Sequence, residues 1–195
     1  MRLLVFLHGT VLMHPGAIGV TRAERVAQVR AGHPTVGDFA AYVPVDGAVA
    51  KLQRWQATGA QIDYLSSHRD PDDVALDAFL VRAHGFPAGR VLARQPGESY
   101  GDVAGREVPD VLIEDDCESI GADQITYPQI PPDVSVRIKS IVIPEFGGLD
   151  HLPDDPQALL AVKPRASGSG FPAPLLPKPL DQLPGLCLTD GRELT

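Results

Sequence analysis

Four short clusters hold the residues that can do chemistry: Phe6-Leu7-His8-Gly9-Thr10, Ser66-Ser67-His68-Arg69, Arg94, and Glu114-Asp115-Asp116. Three of them close an apolar run. Hydroxyl and cationic groups supply donors to an anion, while adjacent carboxylates are hard oxygen ligands for a divalent cation, so the set suits Mg²⁺ together with a phosphate group. An imidazole titrates near neutrality, which lets His8 act as general acid, base or phosphoryl acceptor. Each residue also has a plainer reading. His8 can be a turn histidine bonded to a carbonyl, His68 can make a local bond beside Asp70, and Asp116 can cap a turn starting at Cys117. Cys117 reads as a packing residue, and zinc held by His8, His14 and a carboxylate is a further alternative.

The elements between these clusters explain how they meet. Leu3–Leu7 is an uninterrupted apolar run, as in a strand buried on both faces. Thr21 and Glu24 form a capping box for a helix that stops at Gly32. Asp46 is expected to cap a second helix carrying Val49, Leu52 and Trp55 at helical spacing, ended by Gly59. The strand Ile62–Leu65 follows. Asp70-Pro71-Asp72-Asp73 is a strong helix start, and Gly85 its end. Strands are expected at Arg90–Ala93, Val111–Ile113 and Ser140–Ile143, the last broken by Pro144. Strands alternating with helices predict an α/β fold, a Rossmann-like three-layer sandwich with a parallel sheet and helices on both faces. Ligands of such sheets sit beyond the carboxyl ends of the strands, where all four clusters lie.

The chain has 195 residues, with 17 Lys and Arg against 25 Asp and Glu and a formal charge of -8. That balance gives nucleic acid no bulk attraction, so no nucleic-acid partner is expected. No apolar run approaches a membrane span, and the two cysteines form no framework spacing, so a cytoplasmic protein without a membrane partner is expected. Eight of the 19 prolines fall between Pro153 and Pro184. The domain is therefore placed at residues 1–152, with 153–195 as a Pro-rich tail, docked or flexible, whose Leu175, Leu176, Leu186 and Leu188 could supply contacts.

Residues 1–150 resemble the haloacid dehalogenase (HAD) superfamily of phosphohydrolases. That family opens with an apolar strand ending Asp-x-Asp-Gly-Thr, to which Met1–Thr10, MRLLVFLHGT, is similar except at two positions. Tyr64-Leu65-Ser66 matches its second motif, Arg94 or Arg90 its basic residue, and Asp110 to Asp116 its closing acids. Aligned without a gap, the nucleophilic aspartate falls on Phe6 and the acid/base aspartate on His8; an alternative alignment deletes the nucleophile. Either way that carboxylate is missing, and phenylalanine can neither attack phosphorus nor bind Mg²⁺. The resemblance implies an atypical member with a minimal cap or none, only Val11–Val45 being available as a lid. It implies Mg²⁺ at Asp115 and Asp116, catalytic roles for His8 and Asp116, and substrate contacts from Gly9, Thr10, Ser66, Ser67, His68 and Arg94. The expected activity is phosphohydrolysis or phosphotransfer on a phosphorylated small molecule or phosphate-bearing macromolecule; the alternative is an inactive module binding such a ligand or a protein partner.

Overall fold

The computed structural model describes residues 1–163. The opening apolar run forms β1 (Arg2–Phe6), the central strand of a five-stranded sheet that also contains β4 (Gln61–Leu65), β5 (Val91–Leu92), β6 (Val111–Asp115) and β7 (Lys139–Ile143). The order is β5-β4-β1-β6-β7, with every pair parallel. Both faces of β1 are covered, which is why its sequence does not alternate in polarity. Leu3 and Val5 join one buried cluster, while Leu4 and Phe6 pack into a second on the opposite face.

Three helices cover the first face: α1 (Arg22–Arg30), α2 (Ala48–Ala57) and α3 (Pro71–Ala83). Val26, Leu52, Trp55, Leu80 and Val81 carry their contact with the sheet. The second face is covered by α4 (Tyr100–Glu107), through Tyr100, Val103 and Ala104. Helices on both faces of a parallel sheet make the expected α/β three-layer sandwich. The Thr21–Glu24 capping box and the Asp70 cap form as the sequence predicts. The expected Asp46 cap does not. Helix α2 starts after Gly47, whose φ of 72° and close approach to the Asp150 carboxylate exclude a side chain there, and Asp46 instead pairs with Arg25 at 2.8 Å. The Ser99–Asp102 capping box that opens α4 is a further element, absent from the sequence reading.

Two short strands, β2 (Leu12–Met13) and β3 (Val43–Pro44), pair antiparallel and pin both ends of the segment that carries α1. A four-residue helix, α5 (Pro132–Ser135), precedes β7. Past Leu152 the chain stays on the body as far as it is described. Trp55 Nε1 donates to Pro153 O at 2.9 Å, the buried Lys51 ammonium reaches Leu152 O and Asp154 at 2.7 Å, and Leu159 in the 3₁₀ helix Pro156–Ala161 is fully buried. Leu175, Leu176, Leu186 and Leu188 lie outside the described residues. No helix among the described residues is long and apolar enough to cross a membrane.

Candidate functional site

The chain runs outward from β1 to β4 and β5, then returns to β6 on the other side, so the order in which strands are added reverses between β1 and β6. Loops diverge at such a point and leave a crevice. A cavity of ≈ 200 Å³ opens there, with Phe6, His8, Gly9, Ser67, Tyr100 and Asp115 from the sheet side among its walls. Val29, Val36, Phe39 and Tyr42 wall it from the segment between β2 and β3, the part of the chain expected to act as a lid. Cys117 and Phe146, also in the wall, hold left-handed backbone at φ 48° and 56°. Such strain in non-glycine residues gathers where a site fixes the chain, at about 1–3 kcal/mol each.

On the cavity floor the Ser67 hydroxyl lies 2.8 Å from His8 Nδ1. Behind the ring, His8 Nε2 stands 3.2 Å from Asp77 Oδ1, close enough for charge attraction but too oblique to complete a hydrogen bond. Asp77 is fully buried; its Oδ2 takes the Ser66 hydroxyl at 2.5 Å and His68 Nδ1 at 3.1 Å. Burial pushes the Asp77 carboxyl up, but the hydrogen bonds from His68 and Ser66, with the His8 imidazole standing close by, overcome it and hold the group well below the usual carboxylate range. The same carboxylate raises His68, against the smaller opposing effect of burial. The ligand atoms of His8, His68 and Asp77 all lie within 4.8 Å of one another, so among the described residues this trio has the spacing to hold a metal ion.

Strand alternation decides which serine faces the cavity. Ile62 and Tyr64 point toward the face covered by α3, and Ser66 follows them, ending fully buried against Asp77. Ser67 takes the opposite direction and reaches the cavity wall. The hydroxyl expected on phosphate at Ser66 is thus turned inward, and Ser67 is the accessible one. His68 packs its ring against Phe39, with centroids 4.4 Å apart, and its partner is Asp77 rather than Asp70.

On the β6 side, Thr10 and Asp115 are joined at 2.8 Å, and both are buried. Asp115 Oδ1 accepts Cys117 N–H at 2.9 Å, and burial, aided by Glu145, raises its carboxyl to about 7 against the Thr10 bond. Gly9 sits at φ 81° with room for no side chain, since a Cβ would stand 2.7 Å from Asp115 Oδ2. Asp116 is half-buried and lies outside the cavity wall; its Oδ1 accepts Glu145 N–H at 3.0 Å. Mg²⁺ demands a near-octahedral shell of oxygens. The paired acids do not supply it as they stand: of the two only Asp115 lines the cavity, and position 6 contributes a ring in place of an oxygen.

Phe6 faces the cavity and meets Tyr100 edge to face at 5.0 Å. The Arg94 guanidinium lies 3.7 Å over the Tyr100 ring and donates to Ser67 O at 3.1 Å, which places it behind the cavity floor. Arg90, the other basic candidate, pairs with Asp63 and Glu107 on the surface. His14 is buried and bonded to Thr35, beside His33, so it forms no group with His8. Burial pushes the Cys117 thiol up, in keeping with a packing role.

Asp77, Tyr100, Phe39 and Glu145 are the site residues that sequence reasoning missed. For Asp77 a signal existed: it lies three and four residues before Leu80 and Val81, on the buried stripe of α3. No protein-family model matches the chain, and no curated protein matches it in sequence. Among solved structures, a class C acid phosphatase from Bacillus anthracis with tungstate bound is similar at 18% identity and a TM-score of 0.46, covering 75% of this chain and 68% of that one.

Proposed function

We propose that the protein is an atypical HAD-like hydrolase of phosphate esters that uses His8 as its general acid and base. The observation that carries this reading is the position of His8: at the carboxyl end of the central strand, in the cavity wall, with a hydroxyl on Nδ1 and a buried carboxylate behind Nε2. An imidazole so placed can move a proton into and out of the cavity while its far side stays oriented. The substrate class is a phosphorylated small molecule, since the cavity holds about one small organic group. Mg²⁺ has no part in this reading, because of the paired acids only Asp115 lines the cavity and position 6 supplies a ring.

A second reading, ligand binding without turnover, is favoured by Phe6, which puts a ring where the resemblance calls for a carboxylate. A phosphate-ester panel, run with and without Mg²⁺ on wild type beside His8→Gln, separates the two. Turnover that is lost in His8→Gln supports the hydrolase; saturable binding of an ester with no turnover supports the binding module.

A further inference from the structure

Ser67, His8 and Asp77 stand in a line from the cavity into the core: hydroxyl at 2.8 Å from Nδ1, then Nε2 at 3.2 Å from a carboxylate that solvent does not reach. A serine is a weak nucleophile alone and a strong one beside a base oriented by a third group, and such contacts tighten when substrate binds. The backbone under Ser67 is fixed as well, its carbonyl taking Arg94 at 3.1 Å and the Tyr100 hydroxyl at 3.4 Å. Among the cavity hydroxyls, Ser119 is held by the Glu145 carboxylate at 2.6 Å and Tyr42 donates to a main-chain carbonyl. From this geometry we infer that Ser67 is a nucleophile that carries the phosphoryl group as a serine ester, on substrates whose alcohol is aromatic or apolar. The inference rests on the hydrolase reading and names its covalent step and substrate class.

The step balances. Ser67 Oγ forms a bond to phosphorus as its proton passes to His8 Nδ1; the bond from phosphorus to the substrate alcohol breaks, and that oxygen leaves with the electron pair and takes the proton from His8. Water then attacks phosphorus, gives a proton to His8, and releases Ser67 Oγ, which regains it. From a monoester the products are the alcohol and phosphate; from a diester they are the alcohol and a phosphate monoester. Asp77 is a positioning residue, holding the imidazole with Nδ1 toward Ser67. Phe6, Phe39, Tyr42 and Tyr100 supply an aromatic wall for the leaving alcohol. Asp115 and Glu145 in the same wall disfavour a doubly charged headgroup, which points to a diester or a singly charged monoester.

A fluorophosphonate probe tests the nucleophile without knowledge of the natural substrate: its phosphorus bonds to the serine oxygen as fluoride leaves. The full-length protein is treated with the probe, and the adduct is located by peptide mass spectrometry. A single adduct on Ser67, absent from Ser67→Ala and slowed at least about 100-fold in His8→Gln with both variants melting cooperatively, is the expected result. No adduct on folded wild type, or an adduct on Ser119 or a tyrosine that survives Ser67→Ala, overturns it. Bis(p-nitrophenyl) phosphate and p-nitrophenyl phosphate, assayed in parallel, keep the two claims apart. A labelled Ser67 with no ester turnover leaves the nucleophile and removes the phosphoesterase, whereas turnover undiminished in Ser67→Ala leaves the phosphoesterase and removes the nucleophile.

Discussion

His8 and Ser67 are 59 residues apart in sequence and 2.8 Å apart at the cavity floor. The pairing of β1 with β4 explains the contact, because Phe6 is in register with Leu65 and two further residues along each strand reach His8 and Ser67. Parallel strands thus deliver the two groups side by side at their carboxyl ends. The buried Asp77 comes from the next helix, α3, which packs back on the face toward which Ser66 points.

Asp77→Ala should cost about 3–5 kcal/mol, because it takes the counter-charge from half-buried His68 and leaves the buried Ser66 hydroxyl without its acceptor. Urea unfolding measures this. The pH dependence has a definite sign. Asp77 is held below its ordinary 3.8, so its contribution is present above that value and lost as pH falls through the lowered pKa. His68 is raised above 6.5, so its contribution is full below 6.5 and lost as pH climbs through the raised value. The pair is therefore at full strength between 3.8 and 6.5, and both flanking slopes should flatten in Asp77→Asn.

Asp115 works in the opposite direction from Asp77. Its carboxyl rises from 3.8 to about 7 on folding, so it costs nothing below 3.8 and progressively destabilises the fold as pH rises to about 7. Asp115→Asn can still accept from Cys117 N–H and meet the Thr10 hydroxyl. It should remove that slope and leave the variant on the order of 2–3 kcal/mol less pH-sensitive across this range. Melting curves at pH 4.5 and 7.5 compare them; parallel losses in both proteins would refute the assignment.

Gly9→Ala should destabilise by about 2–4 kcal/mol, since it forces an L side chain into φ 81° and drives a Cβ to 2.7 Å from Asp115 Oδ2. The Thr10–Asp115 bond is the contact displaced. Thermal unfolding shows the effect, and a change within about 0.5 kcal/mol would mean that the carboxylate moves aside freely.

Phe6→Asp supplies the carboxylate that the sequence resemblance calls for at this position. Without metal the variant should lose about 1–3 kcal/mol from the missing edge-to-face contact with Tyr100 and the half-buried acid. Added Mg²⁺ should recover part of that by binding the folded form, while leaving wild type unmoved. Calorimetric Mg²⁺ titration of both proteins decides it; an equal heat in each would place the cation elsewhere.

A chain ending at Leu152 should melt well below one ending at Lys163. The shorter chain loses Asp154 from the buried Lys51, Pro153 O from Trp55, and the buried Leu159. Each loss exposes or strands a group in the core, for about 3–5 kcal/mol together. Equal melting temperatures would show that these contacts contribute little.

Local chemistry determined the elements. The apolar runs at residues 3–7, 62–65 and 111–113, the Thr21–Glu24 box and the Asp70-Pro71 start each specify a strand or a helix end within a few residues, and the α/β class follows from their alternation. The rule that ligands gather beyond the carboxyl ends of strands also brings His8, Ser67 and Asp115 to one cavity. What only the tertiary structure decided is direction and pairing. Ser66 and Ser67 are identical in type, and the alternation of β4 turns one to Asp77 and the other to His8. The buried stripe of α3 marks Asp77 as inward-facing, but only the docking of α3 on the sheet sets its carboxylate beside two histidines and a serine. Asp115 and Asp116 look like one pair of metal ligands until the fold sets only Asp115 in the cavity wall and turns Asp116 to Glu145 N–H. Hydrogen-bond partners from distant segments compete for the same lone pairs, and that competition is settled by packing, which a linear pattern does not contain.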